Sequence, residues 1–172
     1  MWICGRKIDE NTAKKLEKEL TRLWTGELAA VVAFWFCFFM NKDRLVDDKM
    51  MVLTLYPLFI LSFVLIQVSG YWLILLKRMS TPRFMVGYAG KIYKIFKIID
   101  AVLLCAWIPI ILLNYSNIIV TAFSIFIWLF CVIEWINYYL VRLSYSLNPM
   151  VLIEHMINKT LKKSRIAREI EK

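Results

Sequence analysis

The chain has 172 residues, 60% of them apolar and 20% charged, with only 5 Gly and 4 Pro. Soluble domains average about 45–50% apolar, so this composition, with a mean hydropathy of +0.61, excludes a disordered or collagen-like chain and an ordinary soluble enzyme domain. It indicates an integral membrane protein. The net charge of +9 comes from 22 Lys and Arg against 13 Asp and Glu, and the basic residues flank apolar runs. They read as topology signals and contacts to anionic headgroups, not as a nucleic-acid site.

Residues 1–23 form an amphipathic lead-in, with Leu16, Leu20, Leu23 and Trp24 at helical spacing among Lys and Glu. This opening is polar and charged, unlike a secretory signal, so the first span is expected to stay in the membrane. Four spans follow, at about 24–40, 51–76, 98–113 and 118–143, and make up a membrane domain over 24–143. About 20 helical residues cross about 30 Å of hydrocarbon. The second and fourth spans meet that length. The first continues a helix begun in the lead-in, and the third is expected to begin within Tyr93 to Lys97. In the first span Ala29, Ala30 and Ala33 offer a small-residue packing face. Pro57 and Pro109 lie inside spans two and three, where each frees the carbonyl four residues earlier, at Leu53 and Cys105.

The loop at 77–97 contains Phe84-Met85-Val86-Gly87-Tyr88-Ala89-Gly90, too apolar for a solvated linker. It is expected to dip into the interface, with Lys91, Lys94 and Lys97 at the headgroups. The tail, 144–172, breaks at Asn148-Pro149. Met150, Ile153, Ile157 and Leu161 then repeat at three and four residues beside Lys159, Lys162, Lys163 and Arg165. That pattern fits a basic amphipathic helix on the inner surface, and equally a docking helix for a partner.

Basic residues alternate along the chain. There are six in 1–23, three in 41–50, six in 77–97, none in 114–117 and seven from Arg142 onward. By the positive-inside rule both termini and the middle loop face the cytoplasm of a cell-membrane protein. The expected fold is therefore all-α and polytopic, with four transmembrane helices and cytoplasmic amphipathic helices at both ends.

Ionisable groups inside a bilayer are costly and tend to be functional. Glu134 is the deepest, flanked by Val132, Ile133, Trp135 and Ile136, with Asn137 and Tyr138 on the same helix face. Glu27, Gln67 and Asp100 fall at a similar depth in the other spans. All five lie in the cytoplasmic half. They are either glue between helices or a cytoplasm-facing ligand or proton site. As glue, Asp100 and Glu27 would pair with Lys97 or Arg22. Glu134 would be a neutral acid donating to a carbonyl or to Gln67.

Cys4, Cys37, Cys105 and Cys131 form no CxxC pair, and His155 is the single histidine. No metal or cofactor is expected. Phosphate-loop, HExxH and GxSxG templates are missing, which points away from an enzyme. The run Ile133-Glu134-Trp135-Ile136-Asn137-Tyr138-Tyr139 through Val141-Arg142-Leu143-Ser144-Tyr145, with the tail Lys162-Lys163-Ser164-Arg165-Ile166-Ala167-Arg168-Glu169-Ile170, resembles the C-terminal part of small multi-spanning membrane proteins of Gram-positive bacteria. That resemblance covers about the last quarter of the chain. It transfers no activity, and implies only that Glu134 and Asn137 belong to a motif. Two functions fit the sequence. The first is binding or assembly, as an oligomer or as a subunit of a membrane complex. The second is a small transporter or channel that uses Glu134 for proton or cation coupling.

Overall fold

A computed structural model of the chain describes residues 2–3, 6–7, 9–45, 47–115, 117–141 and 163–171. The elements are α1 (Glu10–Asn41), a 3-10 turn (Lys42–Arg44), α2 (Asp48–Ser80), α3 (Tyr88–Leu113), α4 (Ile118–Tyr139) and α5 (Arg165–Ile170). Trp2–Ile3 and Arg6–Lys7 pair as a two-residue antiparallel ladder before α1. Four of the helices are long and apolar enough to cross a membrane. The protein is an all-α, multi-pass membrane protein.

The hydrogen bonds between helices give their directions. Trp35 Nε1 donates to Ser62 Oγ and Ser69 Oγ donates to the Trp24 carbonyl, so α1 and α2 are antiparallel. Tyr56 reaches the Leu103 carbonyl and Tyr93 the Gln67 carbonyl, so α2 and α3 are antiparallel. Ser124 reaches the Leu53 carbonyl and Tyr139 reaches Gln67, so α2 and α4 run parallel. Helix α2 is thus the central element. Its Ile60, Leu61, Val64, Leu65 and Val68 form most of the core, closed by Leu104, Ile127 and Cys131.

Pro57 explains part of the α2–α4 contact. Proline removes the amide that would bond the Leu53 carbonyl. That carbonyl accepts instead from the Ser124 hydroxyl on α4. The Pro57 carbonyl in turn accepts from Cys131 Sγ at 3.3 Å. The proline is therefore a seam between two helices.

Helices α1 and α2 have 32 and 33 residues, about 50 Å each at 1.5 Å per residue. Both exceed the hydrocarbon thickness. The surplus lies at the end of the bundle where α1 and α3 start and α2 and α4 finish. There Ala13, Leu20 and Met79 are buried together, with Leu16, Trp72, Leu75 and Leu76 around them. From Glu10 onward the lead-in is thus a continuous extension of α1 that packs on α2. This end also carries most of the Lys and Arg, and is called the basic end below.

Four local expectations change. On α1 the residues packed against the core are Ala30, Val31 and Phe34, while Ala29 and Ala33 are exposed. Aromatic area outweighs small-residue packing on that face. Helix α3 begins at Tyr88, earlier than Tyr93, because Gly87 (φ 82°) supplies the left-handed residue that starts it. The apolar loop before it folds back on α2. Arg78 donates to the Phe84 and Met85 carbonyls at 2.9 and 3.1 Å, and Lys77 Nζ lies 4.5 Å from the Phe84 ring centroid. Finally, α4 ends at Tyr139, short of residue 143. Ser164 supplies donors to the Tyr138 and Leu140 carbonyls, and Val141 pairs with Lys163. The expected tail helix from Met150, with Lys159 and Lys162, lies outside the described residues.

Candidate functional site

The five polar residues expected near one depth separate into two sets on opposite sides of the last turn of α4. In the first, Gln67 Nε2 donates to Asp100 Oδ1 at 3.0 Å and Tyr139 donates to Gln67 Oε1 at 2.5 Å. The Gln67 carbonyl accepts from Tyr93 at 2.8 Å. Asp100 is fully buried, with Gln67 and Tyr139 buried beside it. This set joins α2, α3 and α4 inside the core. Asp100 therefore pairs with Gln67, and not with Lys97, whose carbonyl accepts from Trp135 Nε1 at 3.3 Å.

The second set joins α1 and α4. Tyr138 donates to Glu27 Oε1 at 2.5 Å. Glu134 lies within reach of Asn137 and Tyr138, on the side of α4 that faces Glu27. Its Oε2 is enclosed without a hydrogen-bond partner. Glu27 faces Tyr138, and not Arg22, which is exposed. Glu134 faces Glu27 and Tyr138, and not Gln67. Among the described residues, the ion pairs are Lys14–Glu10, Arg78–Glu169 and Lys163–Glu171, and no described cation pairs with Glu27 or Glu134.

Beside this second set lies a cavity of about 130 Å³ at the basic end, large enough for water. Asn137 and Tyr138 line it from α4, Leu20 and Leu23 from α1, Trp72 from α2, and Ser164 to Ile166 from the C-terminal segment. The Trp72 Nε1 hydrogen has no protein acceptor. Comparison with family models, curated proteins and solved structures finds no match to this chain.

The chemistry open to the two sets differs. The Gln67 set is closed by packing and, apart from Asp100 Oδ2, satisfied within itself, as structural polar groups in helix bundles are. The Glu27–Glu134 set is less buried, and it reaches the cavity through Tyr138 and Asn137, not through either carboxyl. Two carboxylates at low dielectric with no counter-charge among the described residues are neutralised by protons or by a cation. Among the described residues no group of His, Cys, Asp and Glu has the arrangement of a metal site.

Sequence reasoning placed Glu27, Glu134 and Asn137 in one half of the membrane and Tyr138 on the Glu134 face of its helix. It did not assign Tyr138 to the site, where that hydroxyl donates to Glu27. It also missed Tyr93, Tyr139 and Ser164. Of the residues assigned to headgroups, Lys91 and Lys94 are exposed and Lys97 is half-buried. Lys163 is exposed and paired with Glu171 at 2.6 Å. Arg165 is half-buried, with its guanidinium 5.9 Å from the Trp72 ring centroid.

Proposed function

We propose that the protein is a cell-membrane protein, with both termini cytoplasmic, that binds a proton or small monovalent cation at the Glu27–Glu134 pair. One observation carries this reading. Carboxyls from two separate spans meet at a single hydroxyl, Tyr138, beside a cavity at the basic end.

The hydrogen-bond arithmetic supports it. The Tyr138 hydroxyl has one proton, and it goes to Glu27. Glu134 can then bond the same hydroxyl only as a donor, as a carboxylic acid. A bound cation serves the pair equally, by neutralising both oxygens. The alternation of basic residues supports the cytoplasmic assignment of this end, and Lys91 and Lys94 on its surface suit anionic headgroups. The outward apolar side chains of α1, such as Val32, Phe36 and Met40, need no protein partner, because lipid covers them.

Infrared difference spectroscopy of the reconstituted protein tests the reading. A carboxylic acid carbonyl band should be lost on raising the pH or adding a monovalent cation, and it should be missing in Glu134→Gln. A spectrum of Glu134→Gln identical to that of the unaltered chain would refute it. Liposomes then separate binding alone from a small transporter: a proton or cation flux that fails in Glu134→Gln marks transport.

A further inference from the structure

The segment 163–171 is seated on the basic end by contacts of several kinds. Ser164 Oγ donates to the Tyr138 carbonyl at 2.5 Å and accepts from the Ala167 amide at 2.9 Å. One hydroxyl thus ties the segment to α4 and starts α5. Tyr71 donates to the Arg165 carbonyl at 3.3 Å. Arg78 meets Glu169 at 2.9 Å with both side chains mostly enclosed. Ile166 and Ala167 are buried. A Cβ on Gly90 would collide with the Glu169 carbonyl oxygen, so α5 occupies space that only glycine leaves.

The same segment supplies Ser164, Arg165 and Ile166 to the wall of the cavity whose other residues include Asn137, Tyr138 and Leu23. We propose that residues 163–171 are a detachable latch that controls access of water and solutes to the cavity beside Glu134. The latch rests on the proposed binding site only for what it guards. Its own basis is the packing of α5.

The reason for detachment is size. A six-residue helix does not persist by itself, so α5 is helical because it is docked. It buries Ile166 and Ala167 and packs Ile170 only partly against the core, and segments with few buried apolar contacts open before the rest of a fold. The spans do not depend on it, because α2 packs on α3 and α4 through Leu61, Val64, Leu104 and Ile127. Arg168 is exposed and Lys163 meets only an exposed partner, so an anionic surface can compete for the segment once it is free.

The test uses the full chain in nanodiscs, with its four cysteines replaced and Ser at position 131 to keep a donor to the Pro57 carbonyl. Reaction with a water-soluble maleimide is timed at Ala167→Cys, a buried position on the latch that leaves Ile166 in place, and separately at Leu23→Cys, in the cavity wall. Both should be slow. Adding Gly90→Ala, which places a methyl group where the Glu169 carbonyl sits, should speed both at least tenfold. Glu169→Lys, which sets a cation against Arg78, should do the same if Gly90→Ala does not fold. Fast labelling at Ala167→Cys without a second change would show that no latch is closed. Release that speeds Ala167→Cys but not Leu23→Cys would show that the segment guards nothing, and no acceleration at either position would refute the docking itself. None of these readouts depends on proton or cation binding, so they stand or fall apart from the Glu27–Glu134 site.

Discussion

Tyr138 and Tyr139 are neighbours in sequence, yet their hydroxyls serve separate polar sets. Tyr138 donates to Glu27 on α1 and Tyr139 donates to Gln67 on α2, each at 2.5 Å. Successive helical residues differ by about 100° in direction, so the end of α4 serves the α1 side and the α2–α3 core at once. The two tyrosines therefore separate the proposed site from the internal bracing.

That division predicts different outcomes for two similar changes. Tyr139→Phe removes a donor from a buried amide oxygen and should cost about 0.5–2 kcal/mol of stability. It should leave carboxyl protonation intact. Tyr138→Phe should change the carboxyl infrared band and cost less. Thermal unfolding in detergent and the infrared spectrum, measured on both variants, check this. Equal effects on both readouts would show that the two sets are one.

At Glu134, a neutral amide can replace a neutral acid in packing. Glu134→Gln should fold with stability near that of the unaltered chain and lose proton or cation binding. Glu134→Leu should lose binding and also about 0.6–1.7 kcal/mol, the range of interhelical hydrogen bonds in membranes. Denaturation in mixed micelles separates these outcomes. Unchanged stability and unchanged binding in Glu134→Leu would show a residue facing lipid.

The seam at Pro57 predicts a coupling. Ser124→Ala leaves the Leu53 carbonyl without its donor and should cost about 1 kcal/mol. In a Pro57→Ala background the restored amide of residue 57 can bond that carbonyl within α2. There the same Ser124→Ala change should cost much less. A double-mutant cycle reads the coupling directly. Strict additivity would show that Ser124 does not act through the proline.

Orientation is tested by single cysteines in a cysteine-free chain. Positions in 41–50 and 114–117 should label from outside and position 172 from inside. Labelling of Lys172→Cys from outside alone would invert the assignment.

Much of this was legible in the sequence because hydropathy and charge are local properties. The four spans, the lead-in running into α1 and the shared level of Glu27, Gln67, Asp100 and Glu134 along the bundle follow from composition along the chain. The partners did not follow. Depth fixes a residue's level but not the direction it faces, and an error of two helical residues moves a side chain to the opposite face. Gln67 was thus expected beside Glu134, yet the core places it with Asp100 and Tyr139. Ser124 on the Leu53 carbonyl needed the register of α4 on α2, which no single span contains. The docking of α5 was hidden for a related reason, since Gly90 and Glu169 are far apart in sequence and meet only in the folded chain.

The central claim is that Glu134 is a carboxyl that exchanges its proton or cation through the basic end. A water-soluble carbodiimide, which reacts with protonated carboxyls, measures this in inside-out and right-side-out vesicles with modified residues located by mass spectrometry. The account predicts modification of Glu134 in inside-out vesicles, slowed by raising the pH or adding a monovalent cation, and little in right-side-out vesicles. Modification from the outer face alone, or a reaction indifferent to pH and cation, would contradict it.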